Sequence, residues 1–165
     1  MNYYKKQIYF TETNQIIKDL AKIYSKESKG LELTKNGNWA FYFQIRIYKS
    51  EKFFRKSRGG NGTAGACFNY KIYNKKDIEG YLKDDNWYIN LGYFAFYKKK
   101  VYIDNVYHEA NHCAFAMMRI LDLAGFKSSW EFREELFNHL SFINVEVIRE
   151  FYKDLTKDKS KRNNR

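Results

Sequence analysis

Proline is missing from all 165 residues, cysteine occurs only twice and histidine three times. The lack of proline goes with an abundance of Tyr, Phe, Lys, Ile and Asn, the bias of an AT-rich genome, so composition says more about the genome than about any site. Cys67 and Cys113 stand far apart and form no Cys-x-x-Cys pair, which excludes a disulfide scaffold and a thiolate zinc knuckle. Both are expected to be reduced and buried. No apolar run approaches the length of a membrane span, and Met1 to Lys6 lead into no apolar signal region. The expectation is a soluble, unprocessed cytoplasmic chain with no membrane partner. No internal repeat is present, and the length leaves room for one core and no second sizeable domain.

What is abundant is positive charge, +11 net, and its distribution matters more than its sum. Residues 1 to 100 carry 20 basic and 9 acidic side chains, residues 101 to 150 carry 4 and 8, and residues 151 to 165 carry 6 and 2. Lys49, Lys52, Arg55, Lys56 and Arg58 surround Phe53 and Phe54 and run into the glycine-rich stretch from Gly59 to Gly65. No Lys-Ser or Lys-Thr follows those glycines, so they are not a phosphate loop. The stretch reads as a mobile loop, with a contact to nucleic acid or an acidic partner as the functional alternative.

Periodicity places elements along the chain. Residues 6 to 10 read as a strand. A helix follows from a cap at Thr11 or Thr13 to about Lys26, with Ile16, Ile17, Leu20, Ile23 and Tyr24 at helical spacing. Leu31 to Thr34, Asn36-Gly37 and Trp39 to Tyr48 read as a hairpin, in whose second arm Phe41, Phe43, Ile45 and Ile47 share one face. Ala66 to Tyr73, Trp87 to Leu91, Tyr93 to Tyr97 and Val101 to Ile103 read as further strands, and Lys75 to Lys83 as a short helix. A helix capped by Asp104 or Asn105 then runs to Gly125. A second, with Ser128 and Glu131 as its capping box, runs from Ser129 to about Leu155. The basic tail, 157–165, has no periodicity and reads as disordered.

The first of these two helices contains His108-Glu109-Ala110-Asn111-His112. Residues four apart lie on one helical face, so His108 and His112 can present two imidazoles to one ion, while Glu109, about 100° around the helix, stands beside it as a base. A zinc site needs at least one further ligand. Glu135 and His139, four apart on the next helix, are the candidates.

These residues resemble those of the zincin metallopeptidases, in particular the group with a glutamate on a following helix as third ligand. The stretch from Val106 to Ile143 is also similar to small zincin-like proteins encoded by bacteriophages. The resemblance implies Zn2+ held by His108, His112 and Glu135, with His139 as the competing third ligand, Glu109 as catalytic base, and the Tyr93 to Tyr97 strand as an edge for a peptide or protein substrate. It implies a zinc hydrolase of the bacterial or phage-infected cytoplasm, in which Glu109 takes a proton from a water whose pKa the metal lowers towards ~7. No Gly-x-x-His follows His112, which excludes the longer metzincin motif.

The fold expected is α+β: a minimal zincin-like domain, 1–156, with a mainly antiparallel sheet packed against the motif helix and a long C-terminal helix joined through Leu121, Leu136, Leu140 and Ile143. The alternative function is an inactive zincin-like binding protein that meets nucleic acid or a host protein through its basic loop and tail.

Overall fold

The computed structural model describes residues 1–24, 40–57, 65–83 and 88–162. Four strands, β1 (Tyr3–Phe10), β2 (Ala40–Tyr48), β3 (Ala66–Tyr70) and β4 (Tyr88–Tyr97), form a sheet in the order β1-β2-β4-β3. β1 pairs with β2 and β3 with β4 in antiparallel fashion, while the central β2–β4 pair is parallel. The sheet is therefore mixed, which corrects the expectation of a mainly antiparallel one. The parallel pair arises because the chain crosses from β2 to β4 by way of β3 at the sheet edge. Among the described residues the α-helices are α1 (Thr13–Ile23), α2 (Glu51–Ser57), α3 (Lys75–Leu82), α4 (Ile103–Leu123) and α5 (Trp130–Arg162).

Alternation along β2 sends Phe41, Phe43, Ile45 and Ile47 to one face, where each is at most 1% exposed. That inner face meets α4, α5 and α1 across one core, to which α4 gives Val106, Ala110, Cys113, Ala114 and Met117, and α5 gives Phe132, Leu136, Leu140, Val145 and Ile148. β4 reaches the same core by an interruption. Its register against β2 shifts at Tyr42/Phe43, opposite Asn90 and Gly92, so Leu91 is an extra residue in the strand. Ile89, Leu91, Phe94 and Phe96 thereby all turn inward, each no more than 1% exposed. What reads in sequence as two strands broken at Gly92 is one strand with a bulge.

Other boundaries move for local reasons. The Val101 to Ile103 segment is not a strand: residues 98–100 form a 3-10 turn and α4 begins at Ile103. α4 ends as expected, with Gly125 at φ +89°, its N–H donating to the Asp122 carbonyl and the Phe126 N–H to the Leu121 carbonyl, both at 2.9 Å. The cap of α5 is Ser129 instead of Ser128, since the Ser129 hydroxyl accepts from the Phe132 N–H at 3.2 Å. α5 continues past Leu155 to Arg162, into the tail. The expected hairpin arm Leu31 to Thr34 and its Asn36-Gly37 turn lie outside the described residues. No helix is long and apolar enough to cross a membrane among the described residues.

Candidate functional site: a motif without a metal centre and a basic sheet face

The His-Glu-x-x-His residues lie on α4, as expected, but packing divides them. His108 and His112 are on the solvent side, with their rings edge to face and their Nε2 atoms 3.1 Å apart, one nitrogen donating to the other. Glu109 is 6% exposed, on the inward side with Val106, Ala110 and Cys113. The open depression beside His112, about 390 Å³, is walled by Tyr70 to Tyr73 and by Phe115, Ala116, Arg119, Ile120 and Leu123. It contains neither Glu109 nor His108, and its charged members, Lys71 and Arg119, are both cations. His112 lines it, but the carboxylate expected to serve as base does not reach it.

The third ligand fails on register. α4 and α5 run antiparallel, pinned where Arg133 donates two hydrogen bonds to the Asp122 carboxylate, at 2.6 and 2.9 Å, and where the Phe115 and Phe137 rings meet at 4.6 Å. Glu135 lies midway between Arg133 and Phe137, hence level with about Met118, roughly 9 Å along the axis from His112 at ~1.5 Å per residue. His139 is more nearly level with His112 but occupies the exposed stripe of α5, whose buried stripe is Phe132, Leu136 and Leu140. Among the described residues no group of three His, Cys, Asp or Glu side chains is placed to hold a metal ion. Two imidazoles supply fewer ligands than zinc requires, so the zinc cofactor, the zincin-like fold and the zinc metallopeptidase mechanism implied by the resemblance are all corrected by this arrangement. The proposed substrate edge is absent too, because β4 lies between β2 and β3.

The sequence signal that survives is the basic one, and folding enlarges it. The segment expected to be a loop forms α2, whose Phe54 is 1% exposed and packs on Tyr48, Cys67 and Ala95 of the outer sheet face. Its amide end is capped by Ser50, which accepts from the Phe53 N–H at 3.4 Å. Lys52, Arg55 and Lys56 are exposed on this helix, Arg55 being paired with Glu51 at 2.7 Å; exposed Lys49 turns to Tyr4, 4.9 Å from its ring centroid, and donates to the Met1 carbonyl at 3.2 Å, while Arg58 lies outside the described residues.

The end of the sheet that carries α2 is the row Tyr3, Tyr48 and Tyr97. Two segments distant in sequence bring further lysines to the same end. Lys98–Lys100 follow β4 directly, with Lys100 packed over Gly65. The last turns of α5 join them, the Tyr152 hydroxyl donating to the Lys98 carbonyl at 3.2 Å and exposed Lys153 lying one residue on.

Beyond α2 the outer face is tyrosine, amide and cation. Tyr3, Lys5, Gln7 and Tyr9 of β1 stand opposite Tyr48, Arg46, Gln44 and Tyr42 of β2. The Arg46 guanidinium lies 3.7 Å from the Tyr93 ring centroid and donates to the Gln44 side-chain oxygen at 2.8 and 3.0 Å. Tyr9 stacks on Tyr42 at 6.0 Å and meets Tyr88 edge-on at 5.4 Å. None of the four strands contains an Asp or Glu. Partial burial raises the Tyr93 phenol above its usual pKa, so it stays a neutral donor, and its hydroxyl bonds the Ser57 carbonyl at 3.3 Å. This surface was missed in sequence because it is assembled from three strands that only tertiary pairing brings together. The absence of acid from every strand was the one signal that could have found it.

Comparison with protein-family models, with curated proteins and with solved structures finds no match to this chain.

Proposed function

We propose that the chain binds nucleic acid through the outer face of its sheet and the basic end formed by α2, Lys98–Lys100 and the last described turns of α5. The observation that carries this reading is that two basic segments distant in sequence, α2 and Lys98–Lys100, meet at one end of a sheet whose strands contain no acid, with Lys153 of α5 beside them. Phosphate neutralisation by Lys and Arg releases counterions and supplies most of the sequence-independent affinity for a polyanion. An acid-free face adds no like-charge penalty along the path. Lys49, Lys52, Arg55 and Lys56, together with Arg58, are the contacts we assign to α2 and its flank. Arg46, 3.7 Å from the Tyr93 ring centroid, and exposed Lys5 opposite it are the cations of the face itself.

The test is fluorescence anisotropy with labelled oligonucleotides at 50 and 200 mM salt. Binding should be measurable at the lower salt, fall steeply at the higher, and weaken when Lys52, Arg55 and Lys56 are together replaced by Gln. No association at low salt, or affinity indifferent to that triple replacement, would sink the reading.

A further inference from the structure

We infer that the ligand of this face is a single strand, DNA or RNA, whose bases stack on the tyrosines at the end of the sheet remote from α2. This rests on the nucleic-acid reading above, but on different residues. Tyr9, Tyr42 and Tyr88 come from three strands and meet ring to ring, yet Tyr9 is 59% and Tyr88 48% exposed. α2 packs on the Tyr48 end, so it leaves these rings uncovered. Tyr9 and Tyr42 are inclined by 30° while Tyr88 stands edge-on to Tyr9 at 74°, so the exposed rings offer separate faces to successive bases, and base-on-aromatic stacking needs no reading of sequence. A duplex cannot use these rings, because the faces of its bases are covered by their stacked neighbours and only base edges and the sugar-phosphate backbone are exposed.

The spacing sets the size of the site. From Tyr42 to Tyr48 is six residues of β2, or about 20 Å at ~3.3 Å per residue. A stacked strand advancing ~3.4 Å per nucleotide covers that length with about six nucleotides. Bases would lie over Tyr9 and Tyr88, and the phosphates would run past Arg46 towards α2. Nε and Nη2 of Arg46 are spent on Gln44, and Nη1 takes part in neither bond, which leaves a fixed donor halfway along the path.

The experiment titrates the full chain into labelled oligothymidylate of 3, 6 and 12 nucleotides, oligouridylate of 6, and a 12-base-pair duplex. Single strands should bind more tightly than the duplex, with the gain in affinity per added nucleotide levelling off near six. Tyr9→Ala and Tyr88→Ala should each weaken single-strand binding about tenfold and leave duplex binding unchanged, while Tyr9→Phe should restore it. Both positions are exposed, and thermal melting of each variant establishes that the fold is kept. A preference for oligouridylate over oligothymidylate of equal length would assign RNA, and the reverse DNA; both support the stacking site. Alanine variants as tight as the parent, with the Lys52, Arg55 and Lys56 replacement still weakening binding, would overturn stacking and leave the electrostatic reading standing. Absence of binding to every probe would overturn both.

Discussion

Gly92 faces the backbone of Asn69 across the β3–β4 pair so closely that a Cβ on it would collide with the Asn69 carbonyl oxygen, and its φ of +115° is open only to glycine. The Asn90 side chain fixes the geometry by accepting from the Gly92 N–H at 2.9 Å. This bulge puts Leu91 and Phe94 on the inner face while Asn90 and Tyr93 stay on the outer one. Without it, the two halves of β4 would present opposite faces to the core.

Gly92→Ala is therefore expected to cost about 2–4 kcal/mol, from backbone strain and a contact with backbone that no rotamer relieves. Urea denaturation checks this. A loss under about 0.5 kcal/mol, the range of ordinary surface substitutions, would mean that the bulge does not need glycine.

The zinc correction has a direct measurement. Chain purified without a histidine tag and supplied with zinc at neutral pH should carry well under one equivalent by mass spectrometry. A chelator should leave its melting temperature unchanged, because a structural zinc would stabilise the fold by linkage and its removal would show. His108→Ala and His112→Ala, both at exposed positions, should each change stability by no more than about 0.5 kcal/mol. Stoichiometric zinc lost with either replacement would reverse the correction.

Alkaline pH should weaken the fold. Complete burial raises the Cys113 thiol well above its usual pKa, and the neighbouring Asn144 amide offsets only part of that. Tyr73 is raised as well, first by burial and then by the charges of Tyr81 and Tyr42, and its hydroxyl must keep its proton to donate to the Asn90 carbonyl at 2.7 Å. In the unfolded chain both groups ionise at ordinary values, ~8.5 for Cys and ~10 for Tyr. Above those values the unfolded state holds fewer protons than the folded one, so stability falls as pH rises. The Cys113 contribution is intact below about pH 8.5 and then declines by up to ~1.4 kcal/mol per pH unit. Urea titrations of the parent and Cys113→Ala between pH 7 and 10 should show a shallower decline for the variant.

The sequence made the apolar faces legible where the period was regular. β2, with four inward residues at spacing two, and the body of α4, up to its glycine stop, form as the pattern implies, although α4 starts ahead of Asp104 and Asn105 and neither caps it. It failed where a residue serves two local roles. Gly92 reads as a break and is a bulge, and Ser128 and Ser129 are equivalent caps until packing chooses the second. α2 is too short for periodicity to reveal it, and a single buried Phe54 holds it down. The His-Glu-x-x-His spacing fixes which residues share a helical face but not which face meets the core. Placing Glu109 inward and the imidazoles outward was decided by Ala110, Cys113 and Ala114 packing against the sheet and α5. The tyrosine surface depends on β2 pairing with β4 in parallel, a contact between segments more than 40 residues apart.

Charge counting offers the sharpest check on the basic end. For a single strand the logarithm of the binding constant falls with the logarithm of salt concentration with a slope of about −0.7 per phosphate neutralised. Replacing Lys52, Arg55 and Lys56 with Gln should make the slope shallower by about 2, and replacing Lys98, Lys99 and Lys100 should do the same, if every one of the six meets a phosphate. Glu51 is bonded to Arg55 and its carboxyl also feels the charge of Lys100, so both sets should fall somewhat short of the full change. The two groups belong to different elements, and combining them should add their effects to about 4. A change of slope from the α2 set alone, with none from Lys98–Lys100, would show that the strand leaves the sheet over α2 without crossing the end of β4. Equal and additive changes would place the phosphate path across both.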